Sequence, residues 1–233
     1  MADHKTTTHR RAAERKSSPM TAPLPTLESP EPLAGQSLGA APCSASRSKY
    51  KIIYADPPWS YSYTSSAHGG RSQLNHYDTM RCVEIYDLPV ASICDENAVL
   101  FMWAAYPMLP EALYTMKAWG FRYKNAAFNW VKLNPKSKTP FFGMGQWTRT
   151  NSELCLLGVR GDIKRVSKSV SQIVMSEIER HSRKPQIIRE KIVELIGDLP
   201  RIELFARERV AGWDAWGNEV QSDVALVTPN NTI

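Results

Sequence analysis

The residues with the clearest potential for chemistry are the tetrapeptide Asp56-Pro57-Pro58-Trp59. It follows Tyr50–Ala55, a β-branched and aromatic run that predicts a buried strand with an abrupt end. Two prolines restrict the backbone, so the Asp56 carboxylate and the Pro57 carbonyl are expected to point in fixed directions. Two acceptors beside a flat aromatic ring suit the exocyclic amino group of a nucleobase. The alternative is a proline turn that closes the strand, with Asp56 as a surface cap.

Residues 60–80 follow this tetrapeptide and predict a long loop, because they are rich in Ser, Tyr, Gly and His and show no period. The loop mixes aromatic side chains with groups that can read bases, and we expect it to close over a flipped base. Its two histidines do not make a metal site without further ligands. The candidate substrate-binding residues of this loop are Tyr61, Tyr63, His68, Arg71, His76 and Tyr77.

A second candidate contact with nucleic acid is the segment 160–191, which holds nine basic and four acidic residues. Phosphate contacts supply most of the non-specific affinity for nucleic acids, so the segment is a candidate track for a phosphate backbone. The predicted phosphate contacts are Lys164, Arg165 and Lys168. A flexible, solvated loop would have a similar composition.

The chain divides by composition into a tail and one domain. Residues 1–49 hold 6 of the 16 prolines, 7 basic and 4 acidic residues and no aromatic residue, which predicts a disordered tail. That tail is either a solvated leader or a loose tether to nucleic acid. Residues 50–233 are expected to form a single domain. The net charge of +6 on 233 residues permits a polyanionic partner without proving one.

Hydrophobic strands alternate with helices along residues 50–233, which predicts an α/β fold with a mainly parallel sheet covered on both faces. Ligands bind such sheets beyond the carboxyl ends of the strands. The two clearest helices are Pro110–Trp119, with Leu113 and Met116 on its buried face, and Pro185–Ile196. The predicted strands, besides the first, are Ala98–Trp103, Phe121–Leu133, Glu153–Val159 and Arg201–Phe205.

The composition also excludes several classes of protein. The four cysteines form no Cys-x-x-Cys pair, which argues against a zinc ribbon or a disulfide framework. The longest apolar run, Ala98–Tyr106, is too short to span a bilayer, and no secretory signal is visible at the N-terminus. The sequence therefore predicts a soluble, cytoplasmic protein of a reducing compartment, with no membrane or metal contact.

Five motifs in order carry a resemblance to a family. The tetrapeptide resembles the catalytic motif of amino-directed methyltransferases, Asp/Asn-Pro-Pro-aromatic. With the later segments, it is similar to the MT-A-seventy family, which includes the catalytic subunit of the eukaryotic messenger-RNA adenosine methyltransferase and bacterial and phage adenine methyltransferases. The resemblance covers residues 50–220. The later segments are Thr150–Gly161 (TNSELCLLGVRG), His181–Pro185 (HSRKP), Ile202–Arg207 (IELFAR) and Gly212–Asn218 (GWDAWGN).

The resemblance implies a Rossmann-like methyltransferase fold with the catalytic motif ahead of the main cofactor strand, and S-adenosylmethionine as the cofactor. It implies a catalytic role for Asp56, Pro57, Pro58 and Trp59. It also implies cofactor contacts for Lys184 at the carboxylate, for Glu203, Leu204, Phe205 and Arg207 beside the ribose and adenine, and for Asn218 and Glu219 at the ribose. Three positions depart from the family: Glu219 replaces a common glutamine, Arg209 a histidine, and Ala206 a glycine.

Physical arguments bear on two of these residues. Lys184 precedes a predicted helix, where the positive potential and free N–H groups favour an anion. Glu203 lies in an apolar strand and is costly unless paired. Either ribose hydroxyls or an ion pair with Arg201 or Arg207 would satisfy its carboxylate.

These features predict methyl transfer to the exocyclic nitrogen of adenine in DNA, with the base flipped out and stacked on Trp59. The same chemistry on RNA is an alternative, because the motifs describe the base and the cofactor rather than the sugar. DNA is favoured because the chain shows no extra domains or partner-binding helices typical of the eukaryotic RNA enzymes. A third possibility is a non-catalytic nucleic-acid-binding subunit, which would be expected to lose the acidic residue or the cofactor lysine.

Overall fold

The computed structural model describes residues 49–60, 79–143, 145, 147–179 and 183–226. These residues form a seven-stranded sheet with the strand order β5-β3-β4-β2-β1-β6-β7. The strands are β1 Tyr50–Ala55, β2 Cys94–Ala104, β3 Arg122–Leu133, β4 Ser152–Arg160, β5 Ile173–Glu177, β6 Arg201–Leu204 and β7 Asp214–Trp216. The predicted tail, residues 1–49, lies outside the described residues except for Lys49, so the division into tail and domain stays a prediction.

Six of the described strands run in one direction and β4 runs in the other. β1 pairs in parallel with both β2 and β6, β6 pairs in parallel with β7, and β3 pairs in parallel with β5. β4 lies antiparallel between β2 and β3. The fold is the expected Rossmann-like α/β class, and the reversed strand makes the sheet mixed. The reversal matters for the site, because it brings the beginning of β4 to the edge where the other strands end.

Helices cover both faces of the sheet, as predicted. The described helices are α1 Cys82–Tyr86, α2 Val90–Ile93, α3 Leu109–Ala118 and α4 Ile187–Ile196. Side chains of β1 alternate between two cores: Ile53 and Ala55 pack with α1 to α3, while Ile52 and Tyr54 pack with α4. Both faces of β1 are thereby buried, which explains why its sequence is a continuous hydrophobic run rather than an alternating one.

Helix α3 agrees with its predicted range to within one residue, but its buried face is rotated from the prediction. Met116 is fully buried with Ala112, whereas Leu113 is 37% exposed. Met116 packs on β4 at Gly158, where an added Cβ would approach Met116 Cε to 2.6 Å. Gly158 therefore permits the close contact of helix and sheet. Leu113 is next to Ala112 in sequence but lies outside the face of the helix that makes this contact.

The strands β1, β6 and β7 end at the same edge of the sheet, which we call the carboxyl edge. Asp56 follows β1, Phe205 follows β6 and Gly217 follows β7. The antiparallel β4 begins there, with Trp103 near the end of β2 opposite Cys155. In the described part of the chain, no helix is long and apolar enough to cross a membrane.

Candidate active site

The tetrapeptide 56–59 forms a tight turn at the carboxyl edge. The Asp56 N–H donates to Leu204 O at 3.5 Å, which anchors the start of the turn to β6. The Trp59 N–H donates to Pro57 O at 2.8 Å, and the Met80 N–H donates to Pro58 O at 3.1 Å. The Pro57 carbonyl retains a second lone pair after this bond. The turn therefore presents Asp56 from a backbone fixed on both sides.

The Trp59 side chain is packed into the protein. It is 6% exposed, and its indole N–H donates to Trp103 O at 3.1 Å. The Trp103 indole N–H in turn donates to the Tyr54 hydroxyl at 2.7 Å. In this conformation the Trp59 ring holds the turn against β2. A base could stack on the ring only if the residues that bury it moved. The stacking role stays a prediction.

Four side chains with alternating charge lie beside this turn, and we call them the Lys184 network: Asp56, Lys184, Glu153 and Lys132. Lys184 Nζ donates to Asp56 Oδ2 at 2.8 Å and lies 3.3 Å from Glu153 Oε2. Glu153 Oε1 also accepts a hydrogen bond from Lys132 Nζ. Side-chain exposure is 10% for Lys184 and 24% for Asp56, so the lysine is buried behind a carboxylate that water can reach.

Electrostatics keep the two central members of this network charged. Burial would lower the pKa of Lys184, but the carboxylates of Asp56 and Glu153 outweigh it and raise that pKa. Burial would raise the pKa of Glu153, but the ammonium groups of Lys184 and Lys132 outweigh it and hold that pKa below its usual value. Lys184 Nζ also lies 5.4 Å from the centre of the Trp103 ring, whose face attracts a cation.

The structure favours the ion-pair alternative for Glu203, and its contact with the ribose stays a prediction. Glu203 is buried, and its two carboxylate oxygens each accept a hydrogen bond of 2.7 Å from Arg189 on α4. The ion-pair alternative was right in kind and wrong in partner, because Arg201 bonds Asp198 and Arg207 lies 3.8 Å from Glu219. The Arg189–Glu203 pair leaves Glu203 poorly placed for ribose hydroxyls.

Phe205 marks strain at the end of β6. It adopts φ +61°, a left-handed conformation that is uncommon for a residue with a large side chain. Its ring stacks on Trp119 at 6.5 Å and meets Trp216 edge-on at 5.3 Å. Gly217 approaches the Ala206 backbone so closely that an added Cβ would lie 2.3 Å from Ala206 O. Strained backbone held by aromatic packing is typical of ligand sites.

The side chains around this edge fit a zwitterionic nucleoside such as S-adenosylmethionine. Lys184 has three ammonium hydrogens, of which two are directed at Asp56 and Glu153, so one remains for a carboxylate. Asn218 and Glu219 are exposed beyond β7, where an amide and a carboxylate suit ribose hydroxyls. The half-buried Phe205 ring supplies apolar surface, whereas Leu204 is fully buried in the core beneath it. Glu203, whose carboxylate is bonded to Arg189, is less available to the cofactor than these residues.

The described residues of the basic segment 160–191 do not form one surface. Lys184 bonds Asp56 and Arg189 bonds Glu203, so these two charges are used inside the protein, whereas Arg183 pairs with Glu208 at the surface. The proposed phosphate contacts Lys164, Arg165 and Lys168 are exposed but lie between β4 and β5. There the Val166 N–H donates to Leu195 O at the far end of α4.

That placement puts them away from the catalytic turn, and their role as phosphate contacts stays a prediction. β4 ends opposite Ala98, near the beginning of β2, so the segment that follows it leaves the sheet at the edge opposite Asp56. The six predicted residues of the loop 60–80, namely Tyr61, Tyr63, His68, Arg71, His76 and Tyr77, lie outside the described residues. Their role stays a prediction.

Sequence reasoning missed a basic and aromatic segment at the carboxyl edge, the β3–β4 loop (residues 134–150). It joins the strands that carry Lys132 and Glu153, and the Phe141 N–H donates to Lys132 O. Phe142 is 68% exposed and Trp147 is 97% exposed. Residues 134–150 contain Lys136, Lys138 and Arg149 and no acidic residue. Aromatic residues close to basic ones, with no acidic residue between them, were the signal in the sequence for a nucleic-acid contact.

Comparison with known proteins agrees with this geometry. Residues 50–219 match the MT-A70 family, a span that begins with β1 and ends just after Asn218. The chain belongs to the MT-A70 family. Its members are S-adenosylmethionine-dependent adenine N6-methyltransferases, and the resemblance stated from the five motifs is thereby confirmed.

Relatives include proteins of two kinds. The type II methyltransferase M.MunI of a Mycoplasma species is 34% identical over 193 residues, covering 75% of this chain and 79% of that protein. The N6-methyladenosine RNA methyltransferase MTA1 of Pyricularia oryzae is 26% identical, covering 73% of this chain and 47% of that protein. The human N(6)-adenosine-methyltransferase catalytic subunit METTL3 is 25% identical, covering 78% of this chain and 30% of that protein.

Proposed function

We propose that this chain transfers a methyl group from S-adenosylmethionine to the exocyclic nitrogen of adenine in DNA. The observation that carries the proposal is the position of Asp56. Its carboxylate is fixed by the proline turn at the carboxyl edge, partly open to solvent, and bonded to a buried ammonium. A carboxylate held in this way can accept an amino hydrogen while it stays bonded to Lys184, because it has about four lone-pair sites.

The residues that would hold the cofactor are Lys184 at its carboxylate, Asn218 and Glu219 at the ribose, and Phe205 beside the adenine. S-adenosylmethionine supplies a methyl group already activated by a sulfonium. The protein's part is therefore orientation and electrostatics rather than a covalent intermediate. Asp56, with the free lone pair of the Pro57 carbonyl, would hold the amino hydrogens of the target adenine and raise the electron density of the attacking nitrogen.

The β3–β4 loop is the surface we propose for the nucleic acid around the target base. Its side chains lie at the same edge as Asp56, since the strands on either side carry Lys132 and Glu153. Exposed aromatic rings stack on unpaired bases without regard to sequence, and lysine or arginine side chains contact phosphates. Phe142, Trp147, Lys136 and Arg149 combine both properties, and all four are exposed.

The extent of similarity supports DNA rather than RNA. The alignment with the Mycoplasma type II methyltransferase spans about four fifths of that protein, whereas those with the two RNA-type relatives span less than half of each. RNA adenosine remains the second candidate substrate, because the site geometry concerns the base and not the sugar. A cytoplasmic location and a role in restriction and modification or in a phage remain predictions.

Matched DNA and RNA test the proposal. The purified protein is incubated with S-adenosylmethionine and either DNA from a host that lacks adenine methylation or transcripts of the same sequences. N6-methyladenine is then measured by mass spectrometry after digestion. We expect the modified base in DNA. Methylation of the RNA alone would replace DNA by RNA as the substrate.

The same protein sample distinguishes an enzyme from a non-catalytic subunit. Calorimetric titration with S-adenosylmethionine should show saturable binding that Lys184→Met weakens. Absence of binding by the folded wild-type protein, together with retained affinity for DNA, would favour a nucleic-acid-binding subunit on a methyltransferase scaffold.

A further inference from the structure

We propose that Lys132 is a positioning residue for Asp56, acting through Glu153 and Lys184. The inference rests on the proposed function, in which Asp56 contacts the target amino group. It concerns the outermost member of the Lys184 network, a lysine on β3 that belongs to none of the five family motifs. The substrate-facing role is left to Asp56 itself.

The geometry gives Lys132 one charged partner in the network. Lys132 Nζ donates to Glu153 Oε1, and the opposite oxygen, Oε2, faces Lys184. Lys132 Nζ lies over the Trp130 ring, 5.0 Å from its centre. Trp130 is also the register partner of Glu153 across the β3–β4 ladder, so the sheet itself fixes the lysine, the ring and the carboxylate together.

The central lysine is shared unequally between its two carboxylates. Lys184 Nζ lies 2.8 Å from Asp56 Oδ2 and 3.3 Å from Glu153 Oε2. Glu153 can tolerate the longer contact because Lys132 supplies a second cation on its other side. Without Lys132, the Glu153 charge would be opposed by Lys184 alone, in a partly buried setting where opposite charges attract strongly.

Loss of Lys132 should therefore move Lys184 toward Glu153 and away from Asp56. The Asp56 carboxylate would lose its short hydrogen bond and the orientation that this bond sets. A misplacement of about 1 Å at a group that positions reacting atoms can slow a reaction about 100-fold, so a smaller shift of Asp56 should cause a smaller, measurable loss. Lys132 thus acts on the reacting group without touching it.

A set of variants with a double-mutant cycle tests this role. We expect Lys132→Met to lower kcat/KM for DNA methylation about tenfold, mostly in kcat, and Lys132→Arg to stay within about threefold of wild type. In a Glu153→Gln background, Lys132→Met should add less than about twofold, because the route through Glu153 is already broken. Lys124→Met is the matched control, since Lys124 is exposed near the start of the same strand, β3, away from this network and from the β3–β4 loop.

The pH profile separates positioning from a merely structural role. In Lys132→Met, burial of Glu153 is opposed by one cation instead of two, so the pKa of Glu153 rises. The acid limb of kcat/KM should then move to higher pH, whereas a variant that only loosens the fold would lower activity across the whole range.

Two outcomes would overturn the inference: Lys132→Met with wild-type kcat/KM and pH profile, or effects of Lys132→Met and Glu153→Gln that multiply independently. Asp56→Ala in the same assay keeps this result apart from the proposed function. If Asp56→Ala is inactive while Lys132→Met is normal, only the positioning role fails. If Asp56→Ala retains full activity, the proposed function fails.

Discussion

Two clusters of ion-paired side chains lie near the end of β1, and they differ in whether a hydrogen-bonding group remains available for a ligand. The Arg189–Glu203 pair is buried and bidentate, with both hydrogen bonds at 2.7 Å. The Lys184 network shares one ammonium between Asp56 and Glu153, and its carboxylates are partly exposed. A guanidinium fork saturates a carboxylate, whereas an ammonium has a third hydrogen for a ligand.

Two residues that both belong to family motifs therefore have different roles, one functional and one structural. Lys184 and Glu203 both match the family pattern, yet Lys184 lies behind a solvent-accessible carboxylate and Glu203 faces an internal arginine. We therefore expect substitutions in the Lys184 network to change activity in a folded protein. Substitutions in the Arg189–Glu203 pair should instead change the free energy of unfolding.

The largest effect on activity is expected for Asp56→Ala. Removal of the acceptor that holds the target amino group should lower the rate of DNA methylation by about 100-fold or more. The measurement is methyl incorporation with saturating S-adenosylmethionine, alongside a thermal unfolding curve. Asp162→Ala, which removes an exposed carboxylate at the opposite edge, should retain wild-type activity. Equal activities of the two variants would show that Asp56 has no special role.

The largest effect on stability is expected for Arg189→Met. It leaves the Glu203 carboxylate buried without its cation, which typically costs about 3–5 kcal/mol of unfolding free energy. Urea denaturation measures this loss, and S-adenosylmethionine affinity of the folded fraction should change little. The double variant Arg189→Met/Glu203→Leu should recover most of the stability, because apolar pairs often replace a buried ion pair without loss. A double variant as unstable as the single one would argue against this account.

An intermediate effect is expected for Phe142→Ala/Trp147→Ala in the β3–β4 loop. Loss of two stacking rings should raise KM for DNA about tenfold and leave kcat within about threefold. The control is Tyr123→Ala, an exposed aromatic residue near the start of β3, which should not change KM. A change in kcat alone would mean that the two rings act on the reacting groups rather than on substrate affinity.

The smallest effect is expected for Lys164→Gln/Lys168→Gln. Both lysines lie at the edge opposite Asp56, so DNA affinity should fall less than about twofold, whereas Lys136→Gln/Arg149→Gln should weaken it several-fold with a shallower salt dependence. Fluorescence anisotropy at several salt concentrations compares the two pairs, each of which removes two positive charges. The reverse ranking would instead support the segment 160–191 as the phosphate track.

Local signals in the sequence were sufficient for the elements that hold the catalytic turn. β1 was predicted with its observed bounds, because a strand buried on both faces is a continuous hydrophobic run and the prolines stop it. α4 was predicted within two residues from Pro185 and Gly197, and Gly197 indeed adopts φ +98°. Such signals lie in adjacent residues, so they need no knowledge of the tertiary fold.

Contacts between distant elements were not predictable in the same way. Glu153 reaches Lys184 only because β4 runs against its neighbours, and the strand pattern alone does not give that direction. Arg189 reaches Glu203 because it borders the apolar face of α4 formed by Ile188 and Ile192. A glutamate within an apolar strand and an arginine beside the core face of the preceding helix were the signals for that pair.

The most direct test of the central claim is methylation mapping of DNA from cells that express the protein. The host should lack its own adenine methylation, and wild type, Asp56→Ala and Asp162→Ala should be expressed at equal levels. We predict N6-methyladenine at defined sites with wild type and Asp162→Ala and a loss of that mark with Asp56→Ala. Methylation that persists in Asp56→Ala, or its absence from DNA with active wild-type protein, would contradict the account.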